Sequence, residues 1–500
     1  MRRLVHGAPH RGGGPNMTAR PVAVWFRRDL RLHDHGPLLA AAAEGSVVCV
    51  YCLDPREFGA SRELGLPRLG VHRARFLIES LADLREGLRR LGGELLVRRG
   101  CPEDVLPAMA REHGWSKLVH HRLVGTEEEE VERAVSAAMT AVSCQVATFW
   151  DRTLVTLEDL PFAVTDTPEV FTSFRKRIEE LSGFTPPLPS AAGLVAAPDA
   201  CDPGELPTLA EFGYAEPAAD PRAVLPFRGG ESAGRTRLAA WIWDHDRLRH
   251  YKATRNEMIG ADYSSKFAPW LALGCLSTRR VQAEVERYEA ERTRNDSTYW
   301  LTFELLWRDY FQLIALKHGA RLFAASGLQG IDLPWRHDEA AFELWCRGRT
   351  GIPLVDANMR ELLATGFMSN RGRQIVGSFL TKNLGLDWRW GAEWFESQLI
   401  DYDVASNQGN WCYVAGVGND ARGFRYFDVA IQAAKYDRRG DYVKLWCPEL
   451  ELLGKDTVHV PWTVPPLARK MLGVEYPGPI VDLAASVSET RRAWEAAVGR

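Results

Sequence analysis

Between residue 21 and about residue 150 the chain alternates two kinds of apolar pattern. Short, nearly unbroken β-branched runs (VAVWF, SVVCVYCLD, ELLVRR, KLVHH and QVATF) are separated by helical periodicity near 36–44, 71–91, 103–113 and 127–141. A strand that is apolar on both faces must be covered on both, and intervening helices supply that cover. The pattern predicts a doubly wound α/β domain built on a parallel sheet. Such sheets bind ligands outside the carboxyl ends of their strands. The polar exit of the first run, RRDLRLHDH at 27–35, is therefore either a ligand rim or a loop held by its own ion pairs. No G-x-G-x-x-G follows that run, so a dinucleotide site of the Rossmann type is not expected there.

After residue 150 the pattern changes. Pro, Ala and Gly accumulate between about 185 and 228, and from there the 3.6-residue period dominates at 231–250, 277–293, 297–318, 338–347, 354–365, 371–384 and 391–400. The expected organisation is an N-terminal extension over 1–20, an α/β domain over 21–150, an interdomain linker over 151–228 and a helical domain over 229–500. The extension is basic, free of acids and Gly-rich, and Met17, directly before the first strand, is an alternative start to Met1.

Composition narrows the function. Apolar residues make up 46% and charged residues 25%, which is ordinary globular usage. No apolar run approaches the roughly 18 residues of a membrane-spanning helix. A net charge of −3 rules out a basic field over the whole molecule, so any nucleic-acid contact must use a local groove. Nine scattered Cys suit a reducing cytoplasm, and Cys49 and Cys52, three apart in a strand, point to opposite faces; no metal site is expected. Seventeen Trp exceed what packing usually demands.

Three stretches carry chemistry. Ser264, Ser265 and Lys266 stand just before a predicted helix, where hydroxyls, backbone N–H groups and an ammonium suit a phosphate diester, although a plain cap has the same appearance. Glu304 and Arg308 are four apart on one helix with Trp307 beside them, a charged pair and an aromatic plate on a mostly apolar surface. LIDYDVASNQGNWCYV at 399–414 sets two acids, an amide and an aromatic run close together.

With FRRDLRLHD at 26–34, YSSKFAPWLALGCLS at 263–277, TYWLTFELLWRDYF at 298–311, TGFMSNRGRQIVGSFL at 365–380 and DWRWGAEWFESQLIDYDVASNQGNWCYVAGVGND at 387–420, the chain resembles the photolyase and cryptochrome flavoproteins, and most closely their DASH group. The resemblance implies an N-terminal antenna domain and a helical domain holding a folded FAD. Tyr251, Ser264, Ser265, Lys266, Phe267 and Ala268 would hold its diphosphate and ribityl chain. Arg308, Arg373, Asp401, Tyr402, Asp403 and Asn407 would complete the site, with Arg373 pairing Asp401. Trp411, Trp388 and Trp335 match the family's electron-donating tryptophans. Glu304, Trp307 and Asn370 would receive a flipped-out cyclobutane pyrimidine dimer, which light-excited reduced FAD would split by electron transfer. Arg255, Arg371 and Gln432 match positions that touch DNA.

Departures from the family pattern refine the expectation. Gln374 and Tyr413 stand where duplex-repairing photolyases carry Met and Trp, which favours single-stranded DNA as substrate. No His lies in 366–380, so the (6-4) lesion is not expected. Leu123 replaces a Glu that binds folate in the group, so a methenyltetrahydrofolate antenna is not expected and a deazaflavin or no antenna stays open. The expected protein is a monomeric, cytoplasmic carbon–carbon lyase. The alternative is a blue-light photoreceptor or DNA-binding regulator without repair turnover; about 45 residues follow Leu453, short for a signalling tail.

Overall fold

The structure is a computed structural model that describes residues 20–196, 201–420 and 423–499. The extension read at the N-terminus, with Met17, lies outside the described residues apart from Arg20.

Five strands, β1 (Val22–Phe26), β2 (Ser46–Leu53), β3 (Leu95–Arg99), β4 (Lys117–His121) and β5 (Gln145–Phe149), form a parallel sheet in the order β3-β2-β1-β4-β5. Val195–Ala196 adds a short parallel pairing to the start of β2. Helices α1 (Gly36–Glu44), α2 (Val71–Arg90), α3 (Pro102–His113) and α4 (Thr126–Ala141) alternate with the strands. Every residue of β1 is buried, as a doubly covered strand requires. The two Cys of β2 point to different cores: Cys49 packs with residues of α1 and α2, and Cys52 with residues of α3 and α4.

The exit loop of β1 divides its residues between the two roles open to it. Buried Asp34 accepts from the Ser277 hydroxyl, from Arg279 at 3.0 and 2.5 Å and from Leu188 N at 2.7 Å, which ties the loop to the helical half. Arg31 donates to Gly274 O at 3.0 Å. Arg27 and Arg28 instead line a cavity of about 550 Å³ outside the carboxyl ends of β1 and β2.

Segment 151–228 does more than connect. It contains α5 (Phe171–Glu179), whose Phe171, Phe174 and Ile178 are buried in the main core. The rest of the chain is helical, with the long Asp296–His318 helix packed on the Val404–Ala415 helix, which in turn packs on the Asn370–Ser378 and Trp388–Gln398 helices. Two stretches that read as single helices, 231–250 and 371–384, pass into π-helical turns at Ala240–Asp244 and Phe379–Asn383. The widened turn keeps the apolar period nearly intact, so periodicity does not reveal it.

Candidate functional site

Two helices face each other across a cavity of about 110 Å³. Asn370, Arg373, Gln374 and Gly377 come from one and Asp403, Asn407, Trp411 and Val414 from the start and body of the other; the spacing of three or four puts each set on one helical face. Asp401 and Tyr402 close the cavity from the loop that leads into the second helix. Arg373 grips Asp401 through Nη2 at 3.0 and 2.8 Å, the pairing the sequence predicts. Asn407 donates Nδ2 to Ala392 O at 3.0 Å, which fixes its amide and leaves its oxygen and second N–H to a ligand.

Asp403 caps the Val404–Ala415 helix by accepting from Ser406 N at 2.9 Å, and it accepts from Gln312 Nε2 at 3.0 and 3.1 Å. Burial would raise its carboxyl pKa, but the charges of Arg308 and Arg152 outweigh burial and hold it below the usual range. Arg308 does not reach the cavity; it donates to Arg152 O at 2.6 Å.

The Ser264–Ala268 loop lies apart from these walls and is shaped by Arg237, which donates to Ser265 O at 3.1 Å, Ser264 O at 3.2 Å and Ala261 O at 3.0 Å. The following helix, Ala268–Ala272, receives no side-chain cap, so the serine hydroxyls are not spent in that way. Lys266 has left-handed φ of 55°, donates Nζ to Ala261 O at 2.9 Å and sits 3.3 Å above the Tyr263 ring. Burial, helped by Arg237, pushes its ammonium pKa down to about 6. Tyr251 and Phe267 pack edge-on to Trp241 at 5.4 and 5.6 Å.

Glu304 does not pair with Arg308 four residues on. It pairs with Arg255 from the end of the Tyr251–Thr254 helix and accepts from Trp300 Nε1 at 3.1 Å. Burial raises its pKa, against the pull of Arg255. Trp307 stacks on Phe171 with centroids 3.7 Å apart and planes at 11°, and meets Tyr413 edge-on at 6.0 Å. A ligand can therefore stack only on its opposite face. Arg371 donates to Asn256 Oδ1 at 3.0 Å and to Gln432 Oε1 at 3.5 Å.

The three matched tryptophans differ in their exposure. Trp411 lines the cavity between the two helices and Trp388 is fully buried, while half-buried Trp335 lines a second cavity at the surface. Trp388 and Trp335 both donate their indole N–H to Ala325 O.

Sequence reasoning missed Phe171, Arg237, Arg152 and Gln312. A buried Gln within the apolar stretch FQLIAL is a visible sign; nothing local marks the others, whose partners lie 24 or more residues away in sequence. Several buried polar atoms around the site have no protein partner: Trp411 Nε1, Gln374 Oε1, Tyr263 OH and Arg152 Nε. Such atoms suit a bound group rich in ring nitrogens, carbonyls and hydroxyls.

In the α/β half, Leu123 is buried and its N–H donates to Glu132 Oε1 at 2.7 Å. Asp29, His35 and His121 bring possible ligand atoms within 4.8 Å of one another, but hydrogen bonds already join them at 2.9 and 2.6 Å. Among the described residues no helix is long and apolar enough to cross a membrane.

The family model for DNA photolyase matches residues 22–192, and that for the FAD binding domain of DNA photolyase matches residues 300–496. A cryptochrome DASH of Gloeobacter violaceus is 56% identical over 486 residues, covering 96% of this chain and 97% of that protein. A solved Synechocystis cryptochrome, 49% identical, superposes with a TM-score of 0.92 over 97% of this chain and 100% of its own. A class III photolyase of Agrobacterium tumefaciens, 31% identical, does so at 0.82 over 97% of this chain and 98% of its own. From one cavity flanked by paired acids to the match along nearly its full length, the chain belongs to the photolyase and cryptochrome family, in its DASH cryptochrome group.

Proposed function

We propose that the protein is a blue-light-driven, FAD-dependent lyase that splits cyclobutane pyrimidine dimers, with single-stranded DNA as its preferred substrate. The observation that carries this reading is the convergence of Asn370, Gln374, Arg373, Asp401, Asn407 and Trp411 on one cavity, with Glu304 and Trp307 on the neighbouring helix. The residues fit FAD: an acceptor amide, an Arg–carboxylate pair and unpartnered buried donors and acceptors are what its ring and ribityl chain can satisfy. When bound and reduced, FAD supplies the excited electron that opens the dimer and takes it back.

The chain's own residues do the rest. Asn407 offers an amide with no titratable proton, so at that position the ring meets no acid, while Asp401 and Asp403 stand elsewhere on the cavity. Glu304, its pKa raised by burial, can keep a proton and donate to a base edge once Arg255 turns toward a phosphate. The free face of Trp307 stacks on the extruded bases, and base–aromatic stacking is worth about 1–3 kcal/mol. Arg371 and Gln432 position the strand without reading its sequence. Flipping a damaged, unpaired nucleotide costs least, so the polar wall of Gln374 and Tyr413 suffices for single strands. Trp335, Trp388 and Trp411 pass electrons inward to restore the reduced state. We place the protein in a reducing cytoplasm, where its free cysteines stay reduced.

The test is discrimination in the dark. The holoprotein should bind a dimer-containing single-stranded oligonucleotide at least tenfold more tightly than an undamaged one, with Glu304→Ala and Trp307→Ala losing that preference. Equal affinity for both oligonucleotides would leave the photoreceptor reading in its place.

A further inference from the structure

We propose that the cavity beside Trp335 docks a small reductant of the enediol or catechol class, which returns an electron to the tryptophan chain after light has drained it. This rests on the electron route given above.

Of the three tryptophans, Trp411 and Trp388 are 3% and 0% exposed, so an electron from outside must enter at Trp335. Trp335 borders a cavity of about 430 Å³ between Arg336, the π-helical turn Phe379–Asn383 and the Leu483–Ala497 helix. That volume has room for a single-ring molecule and not for a dinucleotide. π-helical turns recur at functional sites, because they cost backbone regularity and turn side chains out of register.

The walls carry groups the fold leaves incompletely used. Asn383 is 3% exposed and donates Nδ2 to Leu483 O and Ser486 Oγ, each at 3.1 Å, while its buried Oδ1 has no partner. A buried acceptor left unpaired is costly, and a ligand hydroxyl that reached it would satisfy it. Lys382 is 1% exposed; its Nζ donates to Ala415 O at 2.5 Å and lies over the Phe424 ring at 4.8 Å, with no carboxylate in ion-pairing range among the described residues. Burial pushes its ammonium pKa down to about 7, and an anionic oxygen nearby would favour the charged form. Trp335 and Trp494 offer aromatic surface to a planar ligand, and Glu489 offers a carboxylate.

A planar molecule with several hydroxyls, one of them acidic, matches this set, and enediols and catechols combine those features with ready one-electron oxidation. One electron passes from the donor to the oxidised Trp335 indole and restores it. The donor's hydroxyl proton goes to the Glu489 carboxylate. Glu489 passes the proton on to solvent, and two of the resulting donor radicals disproportionate there, taking the released protons back up, into one oxidised and one reduced molecule.

Ascorbate is the probe, and gulonolactone its redox-inert competitor. In the dark, calorimetry should show saturable ascorbate binding to the holoprotein, displaced by gulonolactone and at least tenfold weaker in Ala485→Trp, which fills the cavity from an exposed helical position. Flavin content reports that the variant has folded, and Thr490→Trp fills the cavity from another position on that helix. After a laser flash, decay of the oxidised-tryptophan signal should level off with rising ascorbate in the wild type and stay linear in both variants. Absence of saturable binding, equal binding by the variants, or linear decay of the same slope in all three proteins overturns the docking site. Binding without any oxidised-tryptophan signal overturns the electron route beneath it.

Discussion

Trp388 and Trp335 donate their indole N–H groups to the same oxygen, Ala325 O, at 3.1 and 3.3 Å. One loop carbonyl thus fixes the orientation of the buried ring and of the partly exposed ring together. Trp388→Phe removes one donor but leaves the acceptor satisfied by the other, so its hydrogen-bonding cost should stay near 1 kcal/mol. The expected outcome is at least a tenfold slower photoreduction of oxidised holoprotein, followed as bleaching of the flavin band. Dimer splitting by chemically reduced variant should remain within twofold of wild type.

The pair Arg373–Asp401 supports the cavity directly, with Asp401 buried and both its oxygens held. Removing one member of a buried pair typically costs about 3–5 kcal/mol, because the other charge is left uncompensated. Arg373 is partly exposed, which reduces the cost of its loss. Arg373→Ala should therefore lower stability by about 2–3 kcal/mol in urea melts and reduce bound flavin severalfold in the purified protein.

Much of this arrangement is legible in the sequence, and the illegible part has one physical origin. The parallel sheet follows from β-branched runs that must be covered twice, and the facing stripes of the cavity follow from helical spacing around Arg373 and Asn407. Contacts between distant segments leave no local trace. Glu304 and Arg308 satisfy every local rule for a helical ion pair, yet Arg255 takes Glu304 and Arg152 O takes Arg308. Phe171 lies in the segment assigned to the linker, and only the folded chain shows it stacked on Trp307. The π-helical turn at Phe379–Asn383 is hidden because one added residue barely disturbs the apolar period.

A pH effect follows from Glu361, which is wholly buried, accepts from Tyr442 OH at 2.6 Å and leaves its other oxygen unpartnered. Burial pushes its carboxyl pKa up to about 8 from an ordinary 4.5. Between those values the folded state holds a proton that the unfolded state has released, so stability falls as pH rises. The penalty is absent below pH 4.5 and complete above pH 8. Glu361→Gln keeps the shape and cannot ionise. Its stability relative to wild type should rise by a few kcal/mol between pH 5 and pH 8.5, measured by urea unfolding at each pH.

On the proposed function, Gln374 and Tyr413 would set the polarity of the wall facing a lesion, and Gln374 Oε1 is buried without a partner. In the flavin-free protein, Gln374→Met should raise stability by about 1 kcal/mol by removing that unmet acceptor. Combined with Tyr413→Trp, it should raise the rate of dimer splitting in duplex DNA about tenfold while changing the single-stranded rate less, since added stacking of about 1–3 kcal/mol offsets the cost of flipping. Paired rate measurements on the two substrates check this.

The most direct measurement is the rate of dimer loss from a single-stranded oligonucleotide incubated without oxygen with the reduced holoprotein under blue light. Catalytic turnover in the light, none in the dark and strong impairment in Glu304→Ala are the predicted result. A protein that binds FAD and DNA yet leaves the dimer intact in the light would contradict it.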